Sequence, residues 1–321
     1  EAFTFDYDLP NDTVYGETCA AIGLCFFARR MFENTKDAKY MDVLERALYN
    51  GVISGMSLDG RKFFYVNPLE VVPGISGEVP GYEHVRPVRP KWYACACCPP
   101  NLARLVESVG AYIYTQSEDR LYVNLFIGSE TEVFSGEEAA HIHMETGYPW
   151  TGNVKLVTEC ESGREWEIAL HLPGWCRQFE ILVDGEPVGY RTEAGYLYLK
   201  RCWKGRHEIV FVMKLEARLV RSNPRVRDNM GKTAVMRGPV VYCLEEADNG
   251  PDLHCIEIPE ETVFKEEYRK DLLGGVVVLE SVGRKIREEE GIPLYFDEKN
   301  EKYDEKKLLW IPYYSWANRS A

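Results

Sequence analysis

Apolar side chains recur at two different periods along this chain, and the change falls near residue 112. After Pro10, the polar run Asn11, Asp12 and Thr13 offers helix caps, and Ile22, Cys25, Phe26, Ala28, Met31 and Phe32 follow near helical spacing. Residues 11–56 are therefore expected to be mostly helical. A second helix is predicted at about 37–54, with Met41, Leu44, Ala47, Leu48 and Val52 on one face and Gly51 and Gly55 near its end. Residues 57–89 are rich in Gly and Pro and read as a long loop carrying a short strand at 62–66. Loops this long in compact domains are usually functional or disordered. Pro99 and Pro100 then open a third predicted helix over about 101–110, because proline is favoured in the first helical turn.

Beyond Tyr112 the alternation has period two. Leu121, Val123 and Leu125 alternate with their neighbours, as do Trp166, Ile168 and Leu170, and Ile181 and Val183 lead into an Asp184-Gly185 turn. Strands at 196–200 and 208–215 extend the series to sandwich spacing. A break at Ser222-Asn223-Pro224 precedes fresh strands at 233–236, 240–244, 275–280 and 308–314, and the mixed-charge run 297–307 reads as a solvated loop. The expectation is a multidomain α plus β chain divided at 1–115, 116–222 and 223–321, with both later parts β-sandwiches.

Composition narrows the function. A length of 321 residues favours two or three domains. The net charge of −13 opposes binding to a phosphate backbone, so no nucleic-acid partner is expected. No apolar run is long enough to span a membrane. The 20 Tyr and 7 Trp suit a carbohydrate surface, although sandwich cores use them equally well. The 10 Cys residues are scattered singly outside one cluster and read as reduced, buried small hydrophobes, which points to a reducing cytoplasm. The chain opens at Glu1 without a Met, so a piece of a longer protein is expected, with any upstream targeting segment unseen.

The densest chemical signal is Cys95-Ala96-Cys97-Cys98-Pro99-Pro100. Clustered thiolates suit a soft metal, with Zn2+ the default. The proline-initiated helix adds a partial positive charge that favours thiolate, so one sulfur could serve as a nucleophile. Glu17-Thr18-Cys19 is the best source of further ligands. Side chains two apart on an α-helix point about 200° apart. Glu17 and Cys19 can grip one ion only if the regular helix begins at Thr18 or Cys19 and the chain before it is extended. A first-turn carboxylate and a core thiol are the ordinary readings of these two residues, and a structural metal or an oxidised pair those of Cys97 and Cys98.

The strings Glu1 to Asp12, Tyr15-Gly16-Glu17-Thr18-Cys19 and Cys95 to Asn101 together resemble family 127 of the glycoside hydrolases, which contains β-L-arabinofuranosidases. Asn223-Pro224 and Trp316-Ala317-Asn318-Arg319 are similar too. The resemblance implies the C-terminal portion of an (α/α)6 barrel followed by two β-sandwich domains. It implies Glu17, Cys19, Cys97 and Cys98 as zinc ligands, Cys97 also as nucleophile, and Glu1 as general acid/base. It makes Glu45 and Tyr65 sugar contacts, although Glu45 could equally pair with a basic side chain and Tyr65 fill a core. The implied function is a retaining hydrolase releasing L-arabinofuranose from β-L-arabinofuranosides, acting on an arabinofuranoside-type carbohydrate, with a homodimer as the candidate assembly. Three helices before the β region are far fewer than a complete barrel needs, so an incomplete and inert barrel is expected. Two rivals stay open: a structural-zinc carbohydrate-binding or interaction module, and a conventional two-carboxylate glycosidase using Glu1 with Glu17 or Glu45.

Overall fold

The computed structural model describes residues 4–134, 136–287, 291, 293–295 and 302–319. Glu1 lies outside the described residues. Helix α1 spans Thr18–Thr35 and buries Ile22, Cys25, Ala28 and Phe32 at helical spacing. It ends at Lys36, whose left-handed conformation closes the last turn by an N–H bond to the Phe32 carbonyl. Helix α2, Lys39–Arg46, continues without a break into a wider turn over Ala47–Val52 and a tight one over Ile53–Gly55. Helix α3, Cys98–Glu107, starts with Pro99 and Pro100 in its first turn. The expected helix beginning near Asn11 is corrected: residues 8–16 are irregular. The backbone there is committed elsewhere, with Glu17 bridged to Val66 and the Asn67 N–H bonded to the Gly16 carbonyl. The expected strand at 62–66 reduces to two isolated bridges, Glu17 with Val66 and Met56 with Phe63.

The period-two region folds into two facing sheets. One runs, in spatial order, Tyr114–Gln116, Arg120–Val123, Glu165–His171, Tyr196–Cys202 and Arg191–Glu193. The other runs Ser129–Val133, Ala140–Thr146, Asn153–Cys160, Gly205–Met213, Phe179–Val183 and Glu186–Pro187. Leu121, Ile168, Leu197 and Leu199 of the first sheet share one core with Ile142, Leu156, Ile209 and Phe211 of the second, which makes a β-sandwich. The first sheet is buried on its other face as well, because Tyr122, Ala169, Tyr196 and Tyr198 pack against Phe32, Met41 and Leu44 of the helices. Alternation along Tyr196–Cys202 thus sorts tyrosines toward the helical layer and leucines toward the second sheet. Phe32, edge-on to Tyr122 with centroids 5.5 Å apart, is fully buried in that joint.

A third sheet follows the order Ala217–Val220, Ala234–Arg237, Val240–Leu244, Tyr303–Pro312, Val276–Ile286 and Ile256–Glu257, with Lys265–Arg269 also paired to Val276–Ile286. The strands add detail to the sequence reading here. Ala217–Val220 precedes the expected break at 222 yet pairs antiparallel with Ala234–Arg237. The described strands connect into one continuous seven-stranded sheet. Within the charged run 297–307, residues 303–307 are strand rather than loop, mostly exposed along the long pairing with Val276–Ile286. The scattered cysteines also divide: Cys25 and Cys160 are buried, whereas Cys202 is exposed.

Asn50, on the wide turn after α2, ties this sheet to the helices. Its side-chain amide donates to the Pro239 carbonyl at 2.9 Å and its carbonyl accepts the Val241 N–H at 2.8 Å. Both backbone partners lie in the turn and strand that start the Val240–Leu244 element, and Asn50 itself is buried. Replacing Asn50 with Ala would leave these two groups unpaired away from water, a cost of about 1–3 kcal/mol. Asn50→Ala is therefore expected to lower the thermal midpoint and to accelerate amide exchange at Val241 before that of the sandwich strands. Unchanged exchange at Val241 would show that the joint does not depend on this amide.

Candidate functional site

Glu17 is extended, with φ −65° and ψ 135°, and Thr18 is the first helical residue of α1. The geometric requirement for Glu17 and Cys19 to face one point is therefore met at the position that the ligand argument predicts. The switch is held from three sides. Thr18 N–H bonds to the Tyr65 carbonyl at 3.0 Å, and its hydroxyl donates to the Phe64 carbonyl at 2.9 Å. The same hydroxyl accepts from Asn67 Nδ2 at 2.9 Å, while Asn67 Oδ1 accepts from Ser54 Oγ at 2.8 Å.

From the other side, α3 delivers Cys97 as its N-cap and Cys98 as its first residue. One ligand atom each from Glu17, Cys19, Cys97 and Cys98 falls within 4.8 Å of all the others. Cys19 and Cys98 sulfurs are 3.6 Å apart, Cys97 and Cys98 sulfurs 3.8 Å, and Cys97 Sγ lies 3.6 Å from Glu17 Oε1. A tetrahedron with metal–sulfur bonds of about 2.3 Å has edges of about 3.8 Å, so the donor set fits a thiolate-bound ion of zinc's size and geometry. Cys98 is buried, whereas Cys19, Cys97 and Glu17 are partly exposed. Burial, reinforced by the neighbouring sulfurs, pushes the Cys98 thiol well above its ordinary range.

Tyr65 lies beside the cluster, and burial first, then the charge of Glu17, raises its phenol above the usual range. Tyr65 continues an aromatic chain, 6.2 Å from Tyr15 and 5.8 Å from Tyr93, and Tyr15 lies 5.5 Å from the ring of His84. His84, alone in its loop by sequence, is anchored by Nε2 at 3.1 Å from the Thr13 carbonyl. Glu45 has different company. Its carboxylate is only 1% exposed, accepts from Tyr148 Oη at 2.6 Å and Trp175 Nε1 at 3.2 Å, and sits where α2 meets the sandwich. Burial raises its carboxyl above the usual range, against the opposing pull of His171 and the two donors. Asn101 was not singled out in the sequence, yet its amide lies 3.0 Å from the Cys19 sulfur. Its spacing of four residues after Cys97, one helical turn, was the available signal.

The long loop is held against this site by Arg89. Its guanidinium, 2% exposed, donates to the Ser54 carbonyl and to the carbonyls of Tyr314 and Trp316, and lies 4.5 Å from the Phe64 ring centroid. Trp316 stacks on the other side of the same region, 4.9 Å from Phe64.

Three family models cover nearly the whole chain: the Beta-L-arabinofuranosidase, GH127 catalytic domain over residues 1–111, its GH127 middle domain over 120–215, and the Glycoside hydrolase family 127 C-terminal domain over 217–321. The chain belongs to glycoside hydrolase family 127. Among its relatives in this family is a "Non-reducing end beta-L-arabinofuranosidase" of Bifidobacterium longum subsp. longum, 40% identical over 99% of this chain and 50% of the relative. A solved GH127 beta-L-arabinofuranosidase from Geobacillus stearothermophilus T6 superposes with a TM-score of 0.95 at 46% identity, covering 99% of this chain and 50% of that one. A solved GH127 beta-arabinofuranosidase matches with a TM-score of 0.87 at 34% identity, again over 99% of this chain and 50% of its own. The chain thus spans about half the length of the relatives it matches. Among the described residues no helix is long and apolar enough to cross a membrane.

The tightest packing constraint at the family 127 site is Gly55. A Cβ there would lie 2.5 Å from Thr18 Cγ2 and 2.6 Å from Thr18 Oγ1, and Thr18 stands between Glu17 and Cys19. Gly55→Ala is expected to cost about 1–3 kcal/mol by overpacking and to displace Glu17 and Cys19 together. Metal content measured after dialysis should fall with it. A variant that keeps wild-type stability and metal content would show that Thr18 has room to move.

Proposed function

We propose that the protein to which this chain belongs is a retaining β-L-arabinofuranosidase with a zinc-bound cysteine nucleophile. The observation that carries this reading is the convergence of Glu17, Cys19, Cys97 and Cys98 within 4.8 Å, with Cys97 partly exposed at the N-terminus of α3. A bound Zn2+ would supply charge that keeps the Cys97 sulfur deprotonated near neutral pH and fixes its direction. Glu17, Cys19 and Cys98 hold the metal, and Cys97 combines ligand and nucleophile. The names borne by the family 127 relatives support the choice of sugar.

The chemistry divides into two displacements. Cys97 Sγ attacks the anomeric carbon as the glycosidic C–O bond breaks, and the general acid protonates the departing oxygen. The same group, now a base, takes a proton from water, which displaces the sulfur and restores the original configuration. Glu1 is the residue assigned to this acid/base part. Thiolate is a weaker nucleophile when metal-bound but a better leaving group, so the arrangement favours the second displacement at some expense to the first. Tyr65, whose phenol feels the charge of Glu17 beside the cluster, is placed to meet a sugar hydroxyl near the reacting sulfur. Glu45, whose carboxylate is committed to Tyr148 and Trp175, serves better as a positioning residue that ties α2 to the sandwich.

The helices α1 to α3 would form part of an (α/α)6 barrel, and the chain divides into the helical part, the sandwich and a last part that begins with the strand Ala217–Val220. The protein would act as a soluble-substrate enzyme on arabinofuranosides, with no nucleic-acid partner, in a reducing compartment.

The test is elemental analysis of the intact protein together with hydrolysis of an aryl β-L-arabinofuranoside. One zinc per chain, product of retained configuration by NMR, and a loss of at least about a thousandfold in kcat for Cys97→Ser with the fold intact are expected. Turnover by a zinc-free protein, or by the Cys97→Ser variant, would move the nucleophile to a carboxylate. Zinc without turnover, and equal destabilisation by Cys97→Ser and Cys98→Ser, would make the cluster a structural staple.

A further inference from the structure

Asn101 sits one turn beyond Cys97 on α3, its backbone N–H bonded to the Cys97 carbonyl at 3.2 Å. Its side-chain Nδ2 lies 3.0 Å from Cys19 Sγ on the opposite helix. The side-chain amide has a fixed sense. Arg104 donates to Asn101 Oδ1, and a guanidinium has no acceptor to offer, so the NH2 end must face the sulfur. Arg104 is itself held over the Phe26 ring of α1, 5.5 Å from its centroid. The chain Phe26, Arg104, Asn101 and Cys19 therefore closes a loop between the two helices that supply the ligands.

We propose that Asn101 is a positioning residue that donates an amide hydrogen bond to Cys19 and confines that sulfur to holding the metal. The inference rests on the zinc-thiolate reading above. An N–H donor withdraws electron density from a thiolate and fixes its lone-pair direction, so Cys19 becomes a stable ligand and a poorer nucleophile. Cys97 Sγ contacts Glu17 Oε1 and Cys98 Sγ, and among the described residues it has no amide donor of this kind. The two partly exposed sulfurs of the cluster are thereby made unequal, and the reactive part falls to Cys97.

The decisive comparison is wild type against Asn101→Leu, which keeps the volume and removes the donor, with Asn101→Ala as a second variant should Leu disturb folding. Zinc affinity of the intact protein is measured by competition with a chromophoric chelator, and sulfur donor strength by the sulfur-to-metal charge-transfer band of the cobalt-substituted protein. Loss of the donor should weaken zinc binding about tenfold or more and move the band to longer wavelength. It should also speed alkylation of Cys19 relative to Cys97, read by peptide mass. A purely structural Asn101 would leave the band where it is. Unchanged affinity, band and alkylation order in a folded variant would overturn the proposal while leaving the zinc reading intact. Wild-type protein that takes up no zinc would defeat both, and is seen before any variant is made.

Discussion

Two ligands two residues apart can face one point only where the backbone changes from extended to helical between them, and this constraint organises the site. Glu17 ends an extended segment and Thr18 begins a helix. Neither state is stable at that residue unaided, since the helix has no side-chain cap and its first N–H groups need partners. The partners come from the loop that follows the second helix: the Tyr65 carbonyl takes the Thr18 N–H, and Asn67 and Phe64 occupy both functions of the Thr18 hydroxyl. The absence of a Cβ at Gly55 lets Thr18 sit that close. The placement of Glu17 and Cys19 is thus set by hydrogen bonds to Thr18, which lies outside the four-residue cluster.

That arrangement is only as rigid as the layer beneath it. Helices α1 and α2 rest on the outer face of a sheet whose inner face is already the core of a sandwich, so their position inherits the order of both sheets. Polar groups fix the register of this contact where apolar packing alone would permit sliding. His171, fully buried, meets the Asn124 carbonyl with Nδ1 and Asp42 with Nε2. Burial works to raise the Asp42 carboxyl, but the His171 hydrogen bond and charge, with the Gly174 N–H, outweigh it and hold the group below its usual range. Glu45, a turn further along, repeats the pattern with Tyr148 and Trp175. A buried polar contact of this kind contributes little net stability, yet any misregister leaves it unpaired, which is how it enforces one docking geometry.

Much of this was legible from the chain because ligand chemistry restricts backbone geometry. The extended-to-helical switch at Thr18 followed from the spacing of Glu17 and Cys19, whereas cap residues alone pointed wrongly to Asn11. Cap propensity is worth about 1 kcal/mol and yields to a backbone already paired with residues 65–67. Strands with clean alternation, such as Glu165–His171 and Tyr196–Cys202, were also readable. What sequence did not carry were contacts between distant segments: Arg89 with Ser54 and Trp316, Asn50 with Pro239, and Ala217–Val220 with Ala234–Arg237 across the Asn223-Pro224 break. Turn residues mark where a strand stops, and they do not say which sheet the strand joins.

Charge gives an independent reason to regard the four-residue cluster as a cation site. Three sulfurs and a carboxylate within 4.8 Å cannot all be anionic without a counter-charge, because like charges at that separation repel strongly in a partly buried setting. Without a cation, protons must serve; burial first, and the neighbouring sulfurs second, keep the Cys98 thiol protonated. Arg104 spends its charge on the Asn101 carbonyl and the Phe26 ring, and Arg89 on backbone carbonyls, so neither relieves the sulfurs directly. A divalent ion at the centre would offset half of the negative charge of three thiolates and a carboxylate, replace several protons and favour Cys97 as thiolate at neutral pH, which is the state that nucleophilic chemistry at that sulfur requires.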